Sequence, residues 1–320
     1  MKTEANNAHI SKSLSAGEKA KRMLHKVNIP MFIGRAAMYI LLIDLAFVFL
    51  YPFLYMIITS FKSPDDLVDI TVTWIPREIY TTNFRIAFHS LNYIRGFINS
   101  TVVTLGCVVG HILACSMIAY GFARYKFPGR DVLFAIVILT LIVPTQVLVF
   151  PLFIQYSQIG LINTFVPLIG PTFLGYGLRG GLFIFIFRQF YLGLPYELED
   201  AAKVDGCNAF KTYWSIVRPV AGSATLVTGI LAMVWHWNDY LEPNLYINRS
   251  ESMMLPANLP IMYNALNSAT PEEFMLDGEP IYNEATVMAG TFMVILPILI
   301  VYMFLQRRFM EGIERTGIVG

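Results

Sequence analysis

From Val132 to Leu178 the sequence runs 47 residues without one charged side chain. A helix rises about 1.5 Å per residue and bilayer hydrocarbon is about 30 Å thick, so one crossing uses about 20 residues. The stretch is too long for one helix and predicts two spans joined by a short external turn at Gly160 and Asn163. Of the 320 residues, 56% are hydrophobic and 14% charged, where soluble domains carry about 25% charged residues. No water-soluble core could hide that much apolar sequence. The expected fold class is all-α and polytopic.

Charge along the chain orders the spans, because Lys and Arg favour the cytoplasmic side. Residues 1–35 carry seven Lys/Arg against Glu4 and Glu18. They read as a basic, solvated cytoplasmic arm, with no nucleic-acid partner implied. The leader is long and the next apolar run is of spanning length, which argues against a cleaved signal peptide. Span one is expected at about 36–59, interrupted by Asp44. Residues 62–95 carry four basic and four acidic side chains and read as an external loop with short helices. Span two falls within 96–123, with His111 its one ionisable group. The turn at 119–130 holds Arg124, Lys126 and Arg130 and is expected inside. Span three runs about 132–156, kinked by Pro144 and Pro151. Span four runs about 165–187, its first half broken by Pro167, Pro171, Gly175 and Gly177. Span five covers about 220–240. Loop 241–284 carries seven acids against Arg249 alone and is placed outside. Span six covers about 285–305. The resulting division is an N-terminal arm (1–35), a six-span domain (36–310) and a tail (311–320), with both termini cytoplasmic.

The longest polar segment between apolar blocks is Pro195–Pro219, which reads as two short helices around a bend. Pro195 suits a first helical position, and Glu197, Glu199 and Asp200 favour the positive end of a helix. Gly206 can take the left-handed conformation that ends a helix, Asn208 can cap the next one, and Pro219 is expected to stop it. Ala201 and Ala202 present almost no side chain, so another surface could approach the backbone. The segment reads as a docking knob.

Two further places stand out. Arg179 lies nine residues before Arg188, hence about 14 Å from the boundary. At that depth an arginine costs at least ~2.5 kcal/mol on insertion scales, so it should face protein or water. It either pairs with Asp44, at similar depth in span one, or snorkels, or lines the path of a solute. The run Trp235, His236, Trp237, Asn238, Asp239 and Tyr240 is either an interfacial aromatic belt or a sugar contact, in which Trp235 and Asp239 share a helix face.

Other chemistries lack their parts. Gly175, Gly177 and Gly180 satisfy G-x-G-x-x-G, but a dinucleotide site needs a preceding strand. The glycines are read as close packing or a break in span four. There is no G-x-x-x-x-G-K-[ST], so an ATP motor of that kind must be a separate polypeptide. No nucleophile stands next to a base, H-E-x-x-H is absent, and the three cysteines form no framework. No catalytic and no metal site is expected.

Several motifs carry a resemblance. Asp200-Ala-Ala, Gly206, Ile216 and Pro219 are similar in spacing to the EAA loop of ABC importer permeases, with Asp200 in place of Glu and Arg218 in place of Leu. Ala119–Arg130 is similar to the AYxFARxxFPGR signature of carbohydrate-import permeases. Trp237-Asn-Asp resembles their WND signature, and Gln306, Arg307, Phe309 and Gly312 resemble the QRxFxxG ending of the maltose/maltodextrin-type second inner-membrane subunit. The resemblance implies a type I ABC importer permease fold in the bacterial cytoplasmic membrane. It implies a second permease subunit, an ABC ATPase dimer that binds the ATP and Mg, an external solute-binding protein and an oligosaccharide cargo. The coupling residues it implies are Glu199, Asp200, Ala201, Ala202, Gly206 and Asn208. Arg179, where the family usually has an uncharged residue, points to an acidic sugar. Trp235, Trp237, Asn238, Asp239 and Tyr240 are the other expected pathway residues. The rival readings are an importer of a non-sugar solute and an ion-driven secondary transporter, which usually shows internal repeats and more intramembrane acids.

Overall fold

A computed structural model describes residues 29–177, 179–268, 275–276, 279–280 and 283–317. Most of the basic arm, Glu272, Glu273 and Asp277 of the acidic loop, and residues 318–320 lie outside them. The chain divides into two compact units, 1–56 and 57–320.

The first unit holds most of α1 (Ile29–Ser60). The helix is apolar on all sides, with 6% of its most apolar window buried. It begins before the expected residue 36 because Ile29, Met31 and Ile33 continue the apolar run. Asp44 is exposed along it.

In the second unit, α2 (Pro64–Val68) and α3 (Thr82–Ser90) occupy the expected external loop. Ser63 caps α2 by accepting the Asp66 amide. The buried Lys62 ammonium donates to the Val72 and Thr73 carbonyls at 2.8 and 3.0 Å. Asn83 donates to the carbonyls of Ser60 and Lys62. These bonds satisfy backbone groups where α1 ends.

The centre is α4 (Tyr93–Arg124), which packs against the segments 166–174, 180–192, 222–237 and 255–268. Span three is broken in two, α5 (Arg130–Leu139) and α6 (Thr145–Gln158). The break falls at Pro144, which lacks an amide and disfavours helix at the residue before it. Pro151 is accommodated inside α6. Span four is broken as expected: α7 (Val166–Ile169), a 3-10 turn (Gly170–Leu174), a left-handed stretch, then α8 (Gly180–Leu192). Gly175 and Gly177 take φ +72° and +115°, which side chains rarely adopt.

The bend comprises α9 (Glu197–Val204), α10 (Ala209–Thr212), a π turn (Tyr213–Val217) and α11 (Arg218–Val220). One expectation is corrected here: Pro195 precedes the N-cap Tyr196 and is not in the first turn. Pro219 falls one residue before the end of α11, and beyond Ala221 the axis turns by 77° into α12 (Gly222–Trp237).

After α13 (Leu241–Tyr246) and α14 (Leu255–Ser268), a two-residue ladder pairs β1 (Met275–Leu276) with β2 (Glu279–Pro280). The last helix is α15 (Glu284–Gly317). A Cβ on Gly312 would lie 2.9 Å from Val227 Cγ2, so that glycine lets α15 close on α12. Among the described residues three helices are long and apolar enough to cross a membrane singly, or four if the bent 209–237 pair is counted as one span. The broken pairs α5–α6 and α7–α8 fill the sequence of spans three and four.

Gly110 tests the packing. A Cβ there would sit 2.1 Å from Thr172 Oγ1, whereas Gly121 faces open space. Gly110→Val should destabilise by about 1–3 kcal/mol, and Gly121→Ala should cost nothing. Thermal unfolding of the detergent-solubilised protein would compare the two.

Candidate functional site

The bend is rooted in the main apolar cluster. Tyr213 hydrogen-bonds Ser116 of α4 at 2.7 Å, and its ring lies 5.2 Å from that of Tyr120. Val217, Ala221, Tyr191 and Phe187 complete the packing. Asn208 Oδ1 accepts the Lys211 amide at 2.8 Å and caps α10 as expected. Gly206, at φ +76°, closes α9 as expected, with open space around it.

The predicted coupling residues separate by face. Asp200, Ala201, Gly206 and Asn208 are exposed. Asp200 bonds the Lys203 ammonium at 2.9 Å and holds it above its ordinary range. Glu199 and Ala202 are buried and turn inward. Ala202 is therefore a packing residue against the bend itself, which corrects the expectation that both alanines meet a partner. Glu199 pairs with Arg124 at the end of α4. Sequence reasoning missed the apolar part of the outer face. Val204 is 88% exposed, and Phe210, also exposed, stacks on Trp214, over which the Arg218 guanidinium sits at 4.3 Å. Apolar residues inside an otherwise polar loop were the available signal.

The Trp235–Tyr240 run divides between structure and site. Trp237 is buried and donates its indole N–H to the Val294 carbonyl at 3.0 Å, tying α12 to α15. Asn238 donates to the Val234 carbonyl and closes α12. Asp239 Oδ1 accepts the Leu241 and Glu242 amides and starts α13. These three are occupied as a tie and two caps. Tyr240 is exposed. Trp235 packs on Phe183.

Arg179 sits in the left-handed region at φ +65°. For a residue with a side chain that conformation costs about 1–3 kcal/mol and concentrates at functional places. Its guanidinium lies 5.4 Å over the Trp235 ring. It also lines a cavity of about 610 Å³ with Thr140, Pro144, Gln146, Gly175 and Glu242. Both helix breaks thus face one space, of a size that admits a small ligand. Because Trp237 bonds a backbone carbonyl, Trp237→Phe should cost about 1 kcal/mol of stability and leave the transport KM within two-fold. Thermal unfolding and uptake kinetics would read the two effects.

Residues 106–315 match the family described as "binding-protein-dependent transport system inner membrane component". The chain is 30% identical to the arabinooligosaccharide transport permease of Halalkalibacterium halodurans over 279 residues, 86% of this chain and 93% of that one. It is 29% identical to the probable starch-degradation-product permease of Thermoanaerobacterium thermosulfurigenes, over 85% and 92% of the two chains. In fold it matches a bacterial ABC transporter that imports the acidic polysaccharide alginate, with a TM-score of 0.74, 22% identity, and 87% and 96% of the two chains covered. The family match over more than half of the sequence makes this chain a member of the binding-protein-dependent transport family, as an inner membrane component.

Proposed function

We propose that this chain is one permease subunit of an ATP-driven oligosaccharide importer, and that the 195–219 bend is where a separate ATPase takes hold. The observation that carries this reading is the split character of the bend. Its inner face is locked into the core through Tyr213 and Val217, with Ala202 buried, while Ala201, Val204, Gly206 and Phe210 are offered outward. A segment held rigidly on one side and bare on the other can transmit a push without deforming. The bend lies on the cytoplasmic side, as do both termini. The ATP and Mg are held by the ATPase dimer, and a second permease completes the path. The acidic 241–284 loop faces an external binding protein.

Relatives transport arabinooligosaccharides and starch degradation products, which supports a sugar cargo. Arg179 extends that reading to acidic sugars. Its cation reaches the cavity and rests on an aromatic ring, an arrangement suited to a carboxylate-bearing sugar. The fold neighbour's alginate cargo is of this kind.

Two experiments address the two levels. Gly206→Val puts a β-branched side chain at φ +76° and should cut oligosaccharide imported per ATP hydrolysed several-fold while the protein still inserts. Wild-type coupling in that variant, or uptake indifferent to vanadate, would sink the ATP-driven reading. Arg179→Ala should lower uptake of a uronate-containing oligosaccharide about ten-fold, the worth of one charged hydrogen bond, and spare a neutral one. Equal loss for both would remove the acidic cargo and leave the importer standing.

A further inference from the structure

The AYxFAR stretch ends in Arg124, the last residue of α4, which lies outside both the exposed face of the bend and the cavity. Its side chain is 2% exposed, and its guanidinium engages the start of the bend, residues 194–199, at three points. Nε approaches Glu199 Oε1 at 2.7 Å. Nη2 donates to the Leu194 carbonyl at 2.6 Å. The Tyr196 ring lies 4.2 Å beneath the guanidinium carbon. The Glu199 contact is a pairing of charges at close range, without the direction of an aligned hydrogen bond.

A buried ion pair is weak support for stability, because desolvation cancels much of the attraction, but breaking one strands a buried charge. Its use here is geometric. Arg124 belongs to the helix that packs against α8, α12 and the 170–174 turn, while Glu199 belongs to the first helix of the bend. The ridge Val204–Phe210 is exposed just beyond it. A displacement of that ridge therefore reaches the bundle centre through two routes, apolar packing at Tyr213 and this one charged joint.

We infer that Arg124 and Glu199 are positioning residues that fix the docking bend to α4 and carry its movement into the bundle. This inference rests on the importer reading above. Neither residue touches cargo or nucleotide. Glu199 does not contact the ATPase, and its carboxylate works inward.

The test uses the assembled transporter in proteoliposomes, with both permeases, the ATPase and the binding protein. Three variants are compared with wild type: Glu199→Gln, Arg124→Lys, and the exchange Arg124→Glu with Glu199→Arg. Co-purification of the ATPase, basal hydrolysis and cargo imported per ATP are measured for each. Glu199→Gln should retain the ATPase and drop cargo per ATP about ten-fold. Arg124→Lys keeps the charge but loses the planar stack on Tyr196, so it should fall between. The exchange should recover a large part of the loss, which a merely structural role would not produce. Hydrogen exchange at residues 196–204 should rise at least ten-fold in Glu199→Gln and fall again in the exchange variant.

Wild-type cargo per ATP in Glu199→Gln, beside normal ATP-driven wild-type uptake, overturns the joint alone. Loss of ATPase co-purification in Glu199→Gln overturns it too, because the glutamate would then serve docking. Wild-type uptake that ignores ATP overturns the importer reading and the joint together.

Discussion

An amide or carbonyl left unpaired in hydrocarbon costs several kcal/mol, and this chain interrupts its helical ladder at 140–144 and again at 175–177. The interruptions survive because small residues bring protein against them. Gly110 of α4 meets Thr172, and Gly181 lies against the Val137 carbonyl and the Thr140 hydroxyl. Gly180 nearly touches the Gly175 carbonyl. The two breaks thereby lean on each other and on α4, and the space they leave is the cavity that Arg179 enters. Irregular backbone at membrane depth is tolerated only when it is buried in protein or borders such a space.

The same helix α4 also anchors the polar chemistry of the bundle. His111 and His236 meet at 3.1 Å between their Nε2 atoms, one ring donating and the other accepting, and so link α4 to α12. Ser116 holds Tyr213 at the root of the bend, and Arg124 holds its entry. Motion of the bend and geometry of the cavity therefore share one rigid element. Close-packed interiors transmit displacement and do not absorb it. In the importer reading this is the property that alternate access requires of the permease.

Signature motifs turn out to have mechanical meanings. The Trp-Asn-Asp run is a tie followed by two helix caps, and Gly312 of the C-terminal motif is a contact point between helices. The alanine pair of the bend divides into one outward and one inward residue. A residue type at the right spacing can thus signal a family reliably while its side chain performs a supporting task.

Composition and the placement of proline, glycine and asparagine were sufficient for the membrane class, the broken fourth span and the bend with its Gly206 and Asn208 ends. These are local properties: apolar length, left-handed glycines and caps act within a few residues of themselves. The inward turn of Glu199 and Ala202, the Arg124 clamp and the occupation of Trp237 by Val294 were not legible. Each depends on which distant segment arrives alongside. Residues 124 and 199 lie far apart in sequence, and only the packing of α9 beneath the end of α4 decides that their charges meet.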